Sequence, residues 1–141
     1  MLSTRDIRNV VVSTKKDFDR LHKVDCDFEL ISEEKFWKLA RQSKIIQFEL
    51  ENYIPLKVGS LVVHGEKDIV VFSKDVLNKL RITNLGLKAL VMHELYHVLN
   101  KKRVRNNFRC CVESEERVHE LFREEFPMLA RKLDHLENSK L

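Results

Sequence analysis

The chain has 141 residues, 43% of them apolar and 34% charged, with only three Gly, two Pro and a formal charge of +4. That length suits one domain, spanning 1–141, around a single core, and the composition excludes disordered, repetitive and low-complexity classes. The positive excess is small and interleaved with acidic residues, so a solvated mixed-charge surface is the simpler reading beside weak attraction to nucleic acid or anionic membrane.

Cys26, Cys110 and Cys111 are odd in number and two of them are adjacent, which argues for a reducing compartment rather than a disulfide framework. The N-terminus lacks the apolar run of a signal peptide, and no stretch approaches the ~18 uninterrupted apolar residues of a membrane span. A soluble, cytoplasmic protein with no membrane partner is expected. The oligomeric state is not encoded in any of these features.

Taken in chain order, the first thirty residues combine Val10-Val11-Val12 with basic residues at Arg8, Lys15, Lys16 and Arg20, and are read as helix. Ser32 is a helix cap, with Ile31 and Phe36 placed as a hydrophobic staple and Phe36, Trp37, Leu39 and Ala40 at helical spacing. Ile46, Phe48 and Leu50 alternate with Gln47 and Glu49, the period of a strand. Leu61 to His64 and Ile69 to Phe72 are β-branched runs joined through Gly65-Glu66-Lys67-Asp68, a hairpin signal. About three strands are therefore expected.

Ser73 caps a short helix through Val76, Leu77 and Leu80, and a longer helix is predicted from about Leu87 to Lys101. That helix is apolar nearly all round, so it belongs in the middle of the fold. The basic run Lys101 to Arg105 complements the negative end of its dipole. A further helix is predicted from about Cys111 to Glu125, ending before Pro127. The last segment, 127–141, is an amphipathic stretch with a regulatory or a packing role.

The central helix contains His93-Glu94-Leu95-Tyr96-His97, an HExxH motif. A helix places residues i and i+4 on one face, so both imidazoles reach one Zn²⁺ ion, and Glu94 lies at the edge of that face where it meets a metal-bound water. Shuffling the chain's residues would produce the motif roughly 0.02 times, so chance is a poor account of it. Two ordinary histidines among Leu90, Val91, Leu95, Val98 and Leu99 would bury polar groups in need of partners.

A catalytic zinc usually takes a third protein ligand, and the following helix offers Glu115, Glu116 and His119. Val118, Phe122, Cys111 and Phe126 define its inward face by the 100° rule. Glu115 sits on that face and is the first choice; Glu116 lies at its margin, His119 borders it, and Glu120 points away. His119 is either the ligand itself or a donor to the developing oxyanion or to another ligand.

With these residues in hand, the motif followed by a glutamate-bearing helix resembles the gluzincin class of zinc metallopeptidases over roughly Leu61 to Glu125. The brevity of the chain makes it most similar to the minigluzincins. The resemblance implies an α+β, minimal zincin-like fold: a small sheet packed on a buried HExxH helix, with the third ligand a glutamate on the helix that follows. It implies peptide-bond hydrolysis of a peptide or protein substrate that pairs with one edge of the Leu61 to Phe72 hairpin. It also implies a latent form, with Met128 to Leu141 as the segment that would lie in the cleft. Glu113-Ser114-Glu115 resembles the metallopeptidases that cleave phage-type repressors, and His119-Glu120-Leu121-Phe122 resembles the third histidine of SprT-like proteases. The alternative of another class is a non-hydrolytic zincin-fold regulator or nucleic-acid-binding protein that uses Lys101 to Arg109 as its contact surface.

Overall fold

The N-terminal helix α1 (Thr4–Asp19) is started by a capping box: the Asp6 N–H donates to Ser3 Oγ at 3.0 Å and the Ser3 N–H to Asp6 Oδ2 at 2.9 Å. Val10-Val11-Val12 lies within it, because Ile7, Val11, Thr14 and Phe18 form a buried stripe at helical spacing. In this computed structural model, residues 1–42, 59–63, 65–100 and 108–138 are described, with 108–115 and 137–138 described through their backbone alone.

The helix expected over the first thirty residues ends at Asp19, and Cys26–Leu30 is instead a strand, β1, with Cys26, Phe28 and Leu30 half-buried between exposed Asp27 and Glu29. Its short alternation was outweighed in the sequence by the charged helical run before it. Helix α2 (Glu33–Ala40) follows, capped by Ser32 as expected. Strands β2 (Ser60–Val63) and β3 (Asp68–Phe72) make the expected hairpin, with β3 in the centre of the sheet: antiparallel to β2 and parallel to β1. The third strand of this sheet is thus β1. The strand expected at Ile46 to Leu50 lies outside the described residues.

Ser73 caps α3 (Lys74–Lys79), accepting from the Val76 N–H. Arg81, at φ 56°, makes the left-handed turn that ends it, and the Ile82 N–H closes on the Leu77 carbonyl at 3.1 Å. Helix α4 (Asn84–Asn100) then starts with Thr83, whose hydroxyl accepts from the Gly86 N–H at 3.0 Å. It is followed by α5 (Phe108–Glu125) and α6 (Pro127–Asn138).

The described residues thus form an α+β arrangement of six helices and a three-stranded mixed sheet. Helix α4 is buried on nearly every face, from Leu87 and Ala89 through Val98, as its all-round apolar sequence requires. α1, α5, α6 and the sheet surround it. Ala130 and Leu133 of α6 are part of the same core. No helix among the described residues is long and apolar enough to cross a membrane.

Candidate metal centre

The middle of α4 holds His93 and Glu94, 9% and 7% exposed, in a helix otherwise given over to apolar packing. His97, one turn on, is half-buried. Four residues advance a helix by 400°, so the two rings lean over the same face, 4.6 Å apart between centroids. Their Nε2 atoms face each other at 3.2 Å.

That separation tests whether the pair suits zinc. Two imidazole nitrogens bound to one tetrahedral ion at ~2.0–2.1 Å stand about 3.3 Å apart, so the rings are already spaced as two ligands of a single cation. Without an ion the contact is a hydrogen bond only when one ring carries its proton on Nε2 and the other does not.

Glu94 points out of α4 towards the sheet. Ser60, the first residue of β2, donates its hydroxyl to Glu94 Oε1 at 2.9 Å, a buried bond between residues 34 apart in the chain. The same oxygen lies 3.8 Å from His93 Nδ1, outside hydrogen-bonding range. A carboxylate this shielded from water, with one neutral hydroxyl as its donor among the described residues, is costly unless a cation lies near.

Gly59 makes the Ser60 contact reachable. A Cβ there would stand 2.8 Å from Leu90 Cδ1, so any side chain at 59 would have to displace the tip of Leu90 where the chain enters β2. Leu90 sits one turn before Glu94, which is where β2 crosses the helix.

The opposite wall comes from α5, whose inward face carries Val118 and Phe122, both buried as expected. Phe122 lies nearly parallel to the His93 ring at 6.4 Å. His119 is half-buried and its ring stands 5.0 Å from that of His93, tilted by 48°. Glu116 and Glu120 are exposed. Glu115 is on the helical backbone of α5, but its side chain is outside the described ones, as are those of Cys110 and Cys111. Among the described residues, no three His, Cys, Asp or Glu side chains are grouped to hold a metal. His93 and His97 could serve as two ligands of one ion, and among the described side chains α5 brings His119 nearest to them.

Tyr96 faces away from the histidine pair. Its hydroxyl donates to Glu125 Oε1 at 3.0 Å, and His22 Nε2 meets the same oxygen at 2.7 Å. Phe18 stands edge-on to the Tyr96 ring at 5.0 Å. Burial, and then the bond to Glu125, holds the phenol protonated well above the usual tyrosine range. His22, read from the sequence as a packing or surface residue, therefore belongs to a polar network joining the segment after α1 to α4 and α5. Trp37 donates to Glu33 at 3.3 Å, and His135 is exposed. His64 and residues 101–107 lie outside the described residues.

Sequence reasoning missed Ser60 and Glu125. Neither stands in a local pattern: Ser60 reaches Glu94 across 34 residues and Glu125 reaches His22 across 103. Comparison of the chain with protein-family models, curated proteins and solved structures finds no match.

Proposed function

We propose that the chain is a zinc-dependent metallopeptidase, of the gluzincin kind that its motif resembles, acting in the cytoplasm. The observation that carries this reading is the convergence of the His93 and His97 Nε2 atoms at 3.2 Å beside the buried carboxylate of Glu94. His93 and His97 would hold the ion. Position 115 shares a stripe of α5 with His119, one turn away, and that placement supports Glu115 as the third ligand. The 5.0 Å approach of His119 to His93 favours a second reading, in which His119 fills that role. The exposure of Glu116 argues against Glu116 as the third ligand.

Zinc held there supplies a Lewis acid that polarises the scissile carbonyl and lowers the pKa of water towards about 7. The chain's own contribution is proton transfer and orientation. Glu94 takes the proton of the attacking water and passes it to the departing amine, and burial keeps that carboxylate from being swamped by bulk solvent. If Glu115 is the ligand, His119 is left to donate to the oxyanion. Peptides as the substrate class rest on the resemblance; hydrolysis rests on the site.

The test pairs metal analysis with turnover. Wild type should purify with or take up one zinc, and Glu94→Gln should keep the zinc while losing at least about 100-fold in kcat against a peptide library. Of Glu115→Ala, Glu116→Ala and His119→Ala, the one that sheds zinc names the third ligand. A wild-type chain that binds no zinc, or a Glu94→Gln variant with full turnover, sinks the proposal.

A further inference from the structure

A general base works only if its carboxylate is held still, and a glutamate side chain left to itself samples several rotamers, at a cost of up to about 2 kcal/mol to order. In this chain the ordering group comes from outside α4. Ser60 opens β2, where its backbone pairs opposite Phe72 of the central strand β3, and its side chain is buried, so the Oγ–Oε1 bond faces little competition from water. Gly59 brings that strand against Leu90, one turn below Glu94. A rigid strand, a close approach and a shielded hydroxyl thus converge on one oxygen of the carboxylate.

We propose that Ser60 is a positioning residue for Glu94: by binding Oε1 it fixes the carboxylate and leaves Oε2 to take the proton of the attacking water. This rests on the reading of Glu94 as the base. It assigns β2 a part in the reaction beyond any pairing with a substrate chain, since the strand's first side chain sets the aim of the base. The Ser60 hydroxyl bond goes to Glu94, which is not one of the proposed ligands, so its removal should act on turnover and spare the metal.

The experiment compares Ser60→Ala and Ser60→Thr with wild type, all as full-length protein. In the zinc-loaded chains, Ser60→Ala should lower kcat about 10-fold with KM and zinc content unchanged, and Ser60→Thr, which keeps the hydroxyl, should recover most of the loss. In metal-free, ¹³C-glutamate-labelled protein, the Glu94 carboxyl resonance is assigned by its disappearance in Glu94→Gln. It should move in Ser60→Ala and return in Ser60→Thr. Unchanged kcat with an unmoved resonance overturns the proposal, as does an equal loss of kcat in both variants. If zinc-loaded wild type shows no turnover, the hydrolytic reading fails instead, and a resonance unmoved by Ser60→Ala would then separately overturn the positioning.

Discussion

Helix α4 presents two sides that solve the problem of buried polar groups in different ways. Towards α1 and the end of α5, polar groups meet complementary ones from other parts of the chain: Lys88 Nζ pairs with Asp17 at 2.6 Å, and the Tyr96 hydroxyl and His22 share Glu125 Oε1. Towards β2 and the middle of α5, two imidazoles turn their nitrogens on each other at 3.2 Å, with a third ring 5.0 Å from one of them and a carboxylate beside it. Opposite charges and matched donors hold the first side together. The second gathers three imidazoles and a carboxylate, side chains of the kinds that ligate or serve a cation. One buried helix thus carries its anchoring on one side and the candidate site on the other.

The largest effect on that contrast should come from Glu125→Ala. It leaves a buried tyrosine hydroxyl and a half-buried histidine without their shared acceptor, which costs about 2–3 kcal/mol. Thermal unfolding should shift down by about 6–10 °C, while the folded fraction binds zinc with the wild-type stoichiometry. Glu94→Gln should do the reverse, losing turnover while unfolding within about 0.5 kcal/mol of wild type, because an amide keeps the Ser60 bond and sheds a buried charge. A Glu125→Ala variant of normal stability would erase the distinction between the two sides.

The placement of the candidate site was more legible in the sequence than the anchoring, for a physical reason. His93, Glu94 and His97 are fixed by helical period alone, and the apolar run around them already placed their helix in the core. The caps at Ser32 and Ser73, and the hairpin through Gly65 to Asp68, are likewise local signals, and the structure keeps each of them. β1 was not legible because Cys26 to Leu30 forms a strand through parallel pairing with β3, a partner about forty residues away that no local window contains. Ser60 and Glu125 escaped for the same reason. The choice between Glu115 and His119 turns on how α5 is rotated against α4. The helical face could be read from the sequence, whereas the distance of the His119 ring from His93 required the folded chain.

Gly59→Ala probes the contrast where the fold meets the site. The added methyl would press on Leu90 Cδ1, the tip of a flexible side chain, so the overpacking should cost only about 1 kcal/mol in denaturant unfolding. Relief of that contact pushes β2 away from α4 and lengthens the Ser60–Glu94 bond. Turnover should therefore fall by more than stability does, towards the value of Ser60→Ala. A variant that loses stability but keeps full kcat would show that β2 can back away without disturbing the base.

The smallest effect belongs to the ion pair between Lys88 and Asp17, which ties α4 to α1. The Lys88 ammonium, bonded to Asp17, holds that carboxyl below its ordinary value. A carboxyl whose folded pKa is depressed stabilises the fold above its unfolded pKa of about 4, and the contribution is lost as the pH falls through the folded value. Both side chains are about 30% exposed, at 29% and 30%, so the pair contributes only about 0.5–1 kcal/mol at neutral pH. Asp17→Asn should accordingly unfold about 2 °C below wild type at pH 7, with the two curves converging as the pH drops below about 3. Zinc stoichiometry should be the same in both, because the lost charge lies on the anchoring side. A difference that persists undiminished into acid would mean that Asp17 acts through packing instead of charge, and that the anchoring side owes its strength to the Glu125 network and its aromatic neighbours.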